Sequence, residues 1–578
     1  MRIRHIEIRN FRGIKSLCWW VKGDFNCIIG PGDTCKSTIL TALDYALSPR
    51  TTLSFDDSDF FNQDIDQDIV IQVTLAGWDD ARPDIRKFFQ ERKFAQYKCG
   101  LDHTGPLPEP PSEDRVAVSV SLRVDKSLEP KWFVVRGRDE GEGQDRQPIY
   151  AADRAVLGLS RLDIFSDFHF TWGHNTILTR LSADSQGNLS AVVSELARGM
   201  RQSDISDYEG IAECQAVADT VKQESRNAGV RLTALSPKID IQRQSMSAGA
   251  LSLHEANVPL RNKGSGSKKL IAAAMQMKLH GGKNIGLIDE IELGLEPHRI
   301  RGLIYRLKNA GQQIFTTTHS PVVIRELNVA DDELYVCKRD AAGAVSLENL
   351  AIVSDIQGPV RANAEAFLGN RITACEGSTE IGCLRAYDIY RFDKSSAPVW
   401  SLATSYFNCG TASRIARDCP QLVRLGYRTA ALCDNDATDQ LSTENVESLR
   451  ALGVHVCQWE TGNSTERQLF YDLPWAHVPT LLETISANHD TLELATIIDR
   501  IRKDARVVAQ NLGADPLTWP ESRLLREVMG DLAHRGNWIK RIDYAEAAFR
   551  FALPLLPDTT VLKSRINALW SWIQEDER

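Results

Sequence analysis

The sequence predicts an α/β chain of several domains, on three observations. The apolar run Asn26-Cys-Ile-Ile29 enters Gly30-Pro-Gly-Asp33-Thr-Cys-Lys36-Ser37-Thr38, and helical spacing continues to Leu47. A glycine-rich loop between a strand and a helix is where phosphates are gripped. Two more apolar runs, 284–289 and 313–317, read as buried strands of a parallel sheet. A second α/β unit opens near Arg371. There Ile372-Thr-Ala-Cys-Glu376-Gly-Ser-Thr-Glu380 puts one carboxylate at a strand end and another a turn into the next helix. Ala431-Leu-Cys-Asp434-Asn-Asp436 then puts two more on one side of a strand end.

Bulk composition bounds the reading. A chain of 578 residues, 43% hydrophobic and 25% charged, fits a soluble globular protein of more than one domain. No apolar run is long enough to span a membrane. The start, Met-Arg-Ile-Arg-His-Ile, alternates like a strand rather than reading as a signal peptide. Twelve cysteines without a Cys-x-x-Cys pair argue against zinc and a disulfide framework, and for a reducing cytoplasm. A net charge of −9 does not advertise nucleic-acid binding. Local basic patches can still supply it, and abundant carboxylates suit a metal-using enzyme.

In order along the chain, 3–9 alternates as a strand, and Asn10 to Ile14 turns into a second one. Residues 69–77 and 116–124 read as further strands, with a proline-rich loop from Gly105 to Glu113 between them. From 168 to 230 strand signals vanish. Ala191 to Arg198 and Ile211 to Val221 have helical spacing, which predicts a helical insert. The pattern breaks at Asp355 to Ala362, and beyond about 475 the chain is mostly helical. The expected domains are 1–167 and 236–355 for the two parts of the first unit, with 168–235 inserted, and 371–578 for the second.

Within the loop, Gly30, Gly32 and Asp33 shape the turn, Lys36 reaches the β/γ-phosphates of ATP, and Ser37, followed by Thr38, binds Mg²⁺. Cys35 stands where a glycine is usual, so its Cβ is expected to strain the loop or slow turnover. Ile285-Gly-Leu-Ile-Asp289-Glu290 delivers Asp289 to Mg²⁺ and Glu290 to the attacking water. His319 ends the next strand, where a γ-phosphate is within reach. Gly264-Ser265-Gly266-Ser267-Lys268-Lys269 precedes an apolar helix and, in this company, looks like the signature segment of an ABC-type ATPase. Such a segment meets the nucleotide of another copy, and the chain has one loop and one such segment. A working ATPase therefore needs at least two copies. In the second unit, four converging acids suit divalent-metal and phosphodiester chemistry.

These residues carry a resemblance. Residues 1–355, opening with Ile-Arg-Asn-Phe-Arg12-Gly, look like the ATPase head of the SMC/RecF-like group, an ABC-type head with a helical dimerisation insert. Residues 371–578 resemble a C-terminal Toprim α/β domain with helical additions. Together they resemble the OLD (overcoming lysogenization defect) nuclease family, which includes the nuclease subunit of the Gabija anti-phage system and some retron effectors. Ile291 and Glu296 depart from that family's Asp-Glu-Pro-Glu and Leu-His-Pro patterns.

The resemblance implies an ATP-binding, Mg²⁺- or Mn²⁺-dependent DNA endonuclease of anti-phage defence. It implies two metals in the Toprim site and a homodimer or homotetramer. A helicase, or a retron reverse transcriptase with its DNA, is an implied partner. It makes Glu376 the general base or a metal ligand, Glu380 the second acid, Asp434 and Asp436 the metal pair, and Glu466 a ligand of a second metal. Arg535-Gly-Asn-Trp-Ile-Lys540-Arg541 matches the segment carrying an essential lysine, so Lys540 would neutralise charge on the scissile phosphate. Arg500 to Lys503 and Arg535 to Arg541 are candidate DNA-path cations. The main rival is a non-cleaving, ATP-driven DNA-binding or sensor protein with a vestigial Toprim domain. A topoisomerase- or primase-like enzyme is a second rival, against which the lack of a strand-passage tyrosine domain or zinc module counts.

Overall fold

The computed structural model describes residues 1–77, 94–103, 105–108, 116–141, 143–162, 167, 170–172, 176–181, 195–196, 199, 211–227, 251–280, 285–394, 396–436, 440–504 and 506–575. Among them no helix is long and apolar enough to cross a membrane. All twelve cysteines carry free thiols. The chain divides into two compact units, one of residues 1–157, 290–292 and 313–578, the other of residues 158–289 and 293–312.

The first unit's main sheet is built from β1 (Arg2–Phe11), β2 (Ile14–Trp20), β3 (Phe25–Ile29), β4 (Ile69–Ala76), β5 (Val116–Val124), β6 (Pro130–Val135), β7 (Gln313–Thr317), β8 (Glu333–Arg339) and β9 (Ala344–Asn349). Their order is β7-β3-β8-β9-β2-β1-β4-β5-β6. β3 is buried along its length and flanked by parallel neighbours, which is why it reads as an unbroken apolar run. β1, β2, β4, β5 and β6 pair antiparallel. The simple alternation expected of β1 is interrupted by a register shift between Ile3 and His5, so His5 and Ile6 are both buried.

One expectation is corrected. The proline-rich stretch begins as a strand, Gly105–Leu107, paired antiparallel with Cys99–Asp102. Pro106 is tolerated because this strand ends the sheet path, where a missing N–H breaks no further ladder. Residues 109–113 of the expected loop lie outside the described residues.

A second, wholly parallel sheet follows in the same unit, with β10 (Arg371–Cys375), β11 (Thr404–Asn408), β12 (Arg428–Cys433) and β13 (His455–Gln458) in the order β11-β10-β12-β13. The chain leaves β10 for one neighbour and later returns on its other side. The gap between the carboxyl ends of β10 and β12 is thus a topological switch point, where α/β sheets hold their ligands. The helices are α1 (Lys36–Leu47) after β3, α2 (Ser378–Asp393) after β10, α3 (Ala412–Arg424) after β11, then α4 (Thr465–Asp472), α5 (Arg523–Arg535) and α6 (Ile542–Ala552). α2 and α6 approach closely because residue 382 is glycine. A Cβ there would fall 2.5 Å from Ala545 Cβ and 2.6 Å from the Ile542 carbonyl.

The second unit pairs two parallel strands, Leu159–Leu162 and Ile285–Ile288. Helices Ser265–His280 and Pro297–Asn309 belong to it. Of the expected helical insert, Ile211–Asn227 is a helix. Residues 182–194, 197–198, 200–210 and 228–235 lie outside the described residues, and so does most of the expected helix from Ala191 to Arg198.

Candidate functional site

The loop after β3 is shaped for a phosphate. Gly30 has φ +133°, and a Cβ there would lie 2.7 Å from the Cys337 carbonyl, so only glycine fits. Lys36 is buried, its ammonium donating to the carbonyls of Gly30 at 2.9 Å and Pro31 at 2.5 Å. No side chain caps the N-terminus of α1, which leaves its first N–H groups facing the loop. Asp33 and Cys35 both adopt left-handed backbone, at φ 59° and 70°. The strain expected at Cys35 is therefore present, since an L side chain occupies a conformation that favours glycine.

A cleft of about 410 Å³ is lined by Gly32, Lys36, Ser37, Thr38 and, from beyond β7, His319. The His319 loop is held by Glu292, which accepts from the Thr318 hydroxyl at 2.7 Å and the His319 N–H at 2.8 Å. Glu292 was not singled out by the sequence reading, although it is the last acid of Asp289-Glu-Ile-Glu292. Glu290 has left-handed backbone, φ 44°, and its N–H donates to Thr317 Oγ1 at 2.9 Å. Asp289 directly follows the second unit's strand Ile285–Ile288. In that unit Ser265 and Gly266 begin the helix expected of a signature segment. Gly266 packs so tightly on the Gly294 turn that a Cβ would come within 2.0 Å of the Gly294 carbonyl.

At the switch point the structure brings Glu376, Glu380, Asp434 and Glu466 into one network. The Glu376 N–H pairs with the Leu432 carbonyl at 3.1 Å, extending β10 alongside β12. Glu376 Oε2 accepts the Asp434 N–H at 3.0 Å. Glu380 reaches back to the Gly377 N–H at 2.7 Å, closing the first turn of α2, and accepts the Thr465 hydroxyl at 2.6 Å. Asp434 Oδ1 accepts both the N–H and the hydroxyl of Thr465 at 2.8 Å. Asn435 pins the Asp434–Asp436 loop by donating to the carbonyls of Asn463 and Trp459, each at 3.0 Å.

Glu466 is fully buried and receives Thr379 Oγ1 at 3.2 Å, His534 at 3.0 Å and Lys540 at 3.4 Å. Its oxygens are thus occupied by protein groups. Lys540 is aimed by its segment. Trp538 and Ile539 are buried beneath it, and Gly536 leaves room for the Trp538 indole, 2.6 Å from where a Cβ would stand.

Charge in this network is unevenly held. Burial and the nearby Glu380 push the Glu376 carboxyl up to about 7. Burial, then Glu380, Glu466 and Glu376, push Asp434 well above the carboxylate range. Burial also opposes ionisation of Glu466, but His534 and Lys540 outweigh it and bring that group down to about 2. Glu466 in turn raises His534.

Asp434, Asp436 and His534 each offer a donor atom within 4.8 Å of the others. His534 escaped the sequence reading, which began the basic segment one residue later. Gly410 has φ +85° between β11 and α3. The candidate DNA-path cations are partly committed elsewhere: Lys503 pairs with Asp499 at 2.8 Å, and Arg541 with Asp490 and Asp543 at 2.6 Å each.

Comparison with known proteins bears on the first of these sites. The model of a family described as AAA ATPase domain matches residues 1–103. That of a family described as AAA domain, putative AbiEii toxin, Type IV TA system matches residues 188–325. These two partial matches support an ATPase of the AAA type and, with it, the use of ATP. No curated protein matches it. Similar solved structures include an SMC head bound to the C-winged helix domain of ScpA, 13% identical, covering 60% of this chain and 98% of that one, with a TM-score of 0.33. Another is the SMC head domain from Thermotoga maritima, 12% identical, covering 60% and 99%, with a TM-score of 0.27.

Proposed function

We propose that this ATPase is also a divalent-metal-dependent DNA endonuclease of the OLD type, with residues 371–578 as its Toprim nuclease domain and anti-phage defence as its setting. The observation that carries this reading is the acid cluster at the switch point. The donor set suits a hard cation such as Mg²⁺ or Mn²⁺. Among the described residues, Glu376 Oε1 and Asp434 Oδ2 have no protein donor, and Asp436 and His534 each bring a ligand atom within 4.8 Å of one on Asp434. Burial first, and then the neighbouring carboxylates, raise the Glu376 and Asp434 carboxyls, and a bound cation would oppose both effects. Asp434, Asp436 and Glu376 would hold the metal, with His534 as a further donor. A metal bound there supplies an activated water and charge stabilisation for phosphodiester cleavage.

The chain's own residues then have defined tasks. Glu376, with a carboxyl near neutrality, is suited to take a proton from water. Glu380 fixes the turn that aims Glu376. Glu466, doubly paired, orients His534 and Lys540, and the Lys540 ammonium faces the phosphate charge. Lys36, Ser37, Asp289, Glu290 and His319 serve the ATP site, and Ser265 and Gly266 that of a second copy. The helix Ile211–Asn227 supports such an assembly, since Val217 and Val221 share one face, 63% and 47% exposed. A plasmid-nicking assay with Mg²⁺ or Mn²⁺ tests the reading. Wild type should nick and Glu376→Ala should not. Equal nicking by the two would remove Glu376 from the reaction, and no nicking by the wild type under any metal, ATP or DNA condition favours the non-cleaving ATP-driven protein instead.

A further inference from the structure

Helix α2 leads from the acid site to a second cavity. Glu380 and Arg391 lie eleven residues apart on it, about 16 Å along its axis. At that far end, a cavity of about 430 Å³ is walled by Tyr390, Arg391, Lys394, Lys563, Asn567 and Trp570. Three of these are cations, and the one carboxylate among the lining residues is Asp558. Asp558 is used by Lys563, which pairs with it at 3.0 Å and donates to the Leu556 carbonyl at 2.7 Å. Arg391 and Lys394 have no ion-pair partner among the described residues. The Arg391 guanidinium instead lies 4.4 Å over the Trp570 ring, and Lys394 lies 5.3 Å from the Tyr390 ring.

Two donors in these walls are buried without an acceptor, Arg391 Nε and Trp570 Nε1, although Trp570 is only 4% exposed. A buried donor left unpaired is costly and marks a place where an acceptor belongs. Arg391 and Lys394 also oppose the negative end of α2. That role needs only their charge. It does not explain why the two cations stand on aromatic walls around an open cavity.

We propose that this cavity binds a nucleoside phosphate, the phosphate held by Arg391 and Lys394 and the ring by the aromatic walls and the guanidinium layered on Trp570. Cations, rings and volume together select this class over a bare anion, because a phosphate alone would fill only part of a cavity of about 430 Å³. The site is separate from the ATP loop and does not depend on the nuclease reading.

Calorimetry on the full chain in EDTA tests it, with dAMP, an oligodeoxyadenylate of about five nucleotides and inorganic phosphate as ligands. dAMP lacks the β/γ-phosphates that the ATP loop grips. The expected result is saturable binding of dAMP or the oligonucleotide, weakened at least about tenfold by Lys394→Glu and by Arg391→Gln, with inorganic phosphate at least about tenfold weaker than dAMP. The Lys394 variant changes an exposed side chain at the end of α2, so the chain should still fold, with a melting temperature only slightly below that of the wild type. Equal affinity for dAMP and the oligonucleotide identifies a free nucleotide as the ligand. An oligonucleotide bound about tenfold more tightly, with the same loss in both variants, identifies a nucleotide within a strand. The proposal is overturned by no saturation with either ligand up to ~1 mM, by unchanged affinity in both variants, or by inorganic phosphate binding as well as dAMP.

Discussion

The ATP loop and the acid cluster differ first in how their parts are gathered. The loop offers backbone N–H groups and one lysine, all within nine consecutive residues, Gly30 to Thr38. The cluster takes its side chains from four separate stretches, around Glu376, Asp434, Glu466, and His534 with Lys540. They differ next in electrostatics. The loop presents positive charge and peptide dipoles for an anion, and its lysine already rests on carbonyl oxygens. The cluster holds carboxyls whose ionisation is opposed by burial and by one another, which a cation would relieve. A site made of backbone can be encoded locally. One made of side chains depends on the fold to bring it together.

The largest effects should separate the two sites. Asp434→Asn or Asp436→Asn should lower cleavage by more than the roughly 10–100-fold that losing an outer-shell partner of a metal costs. ATP binding should be unchanged. Cleavage at the wild-type rate with matched metal, read on plasmid DNA, would remove the metal assignment. Lys36→Ala should do the reverse to binding, lowering ATP affinity by on the order of 10- to 100-fold because a charge-assisted contact is lost. Nucleotide titration of the wild-type chain and this variant measures it. Equal affinities would break the comparison from the other side.

The opposed ionisation predicts a pH dependence. Glu376 titrates at about 7 in the folded chain against an ordinary 4.5. Between these values the folded state holds a proton that the unfolded state has released. Stability of the metal-free protein should therefore fall as pH rises from about 4.5 to 7 and level off above. The loss from this group is on the order of 3 kcal/mol. Thermal melts in EDTA at pH 5.5 and 8 should show it, and Mg²⁺ should recover part of it at pH 8. A flat profile in EDTA would mean that the acids are not crowded in solution.

The same contrast governs what could be read in advance. The loop was legible because strand, glycines, lysine and helix are contiguous. The four acids were legible because Glu376 and Asp434 each follow a strand-like run, Glu380 and Asp436 stand a few residues on, and strand ends in a parallel sheet converge. His534 was not. It meets Glu466 across 68 residues, through the packing of α5 on α4, which no local pattern reports. A weak signal existed in Gly530, four residues earlier on the same helix face. A glycine inside a helix hints at close approach, and here a Cβ would lie 2.6 Å from Arg467 Cα. The strand at Gly105–Leu107 was missed for a different reason. Proline-rich composition marks loops in general, but an edge position excuses the proline.

The smallest predicted effect lies inside the loop, where Cys35 and Gly13 meet. Cys35 holds φ 70°, which costs an L residue about 1–2 kcal/mol. Cys35→Gly relieves that cost but frees the unfolded chain, returning about 0.4–1 kcal/mol. The net gain should be about 0.5–1 kcal/mol, together with faster ATP turnover if the strained loop is what slows it. Gly13 follows Arg12 in the turn between β1 and β2, and a Cβ on it would lie 2.7 Å from Cys35 Sγ. Gly13→Ala should therefore destabilise the wild-type chain by about 1 kcal/mol through overpacking. In the Cys35→Gly background the thiol is gone and so is the clash. The two substitutions should thus be coupled, the double variant more stable than the sum of the singles by at least about 0.5 kcal/mol. Denaturant unfolding of the four proteins measures the coupling. Strict additivity would mean that the thiol turns away from Gly13 in solution, and that the departure at Cys35 is felt by the backbone of the loop alone.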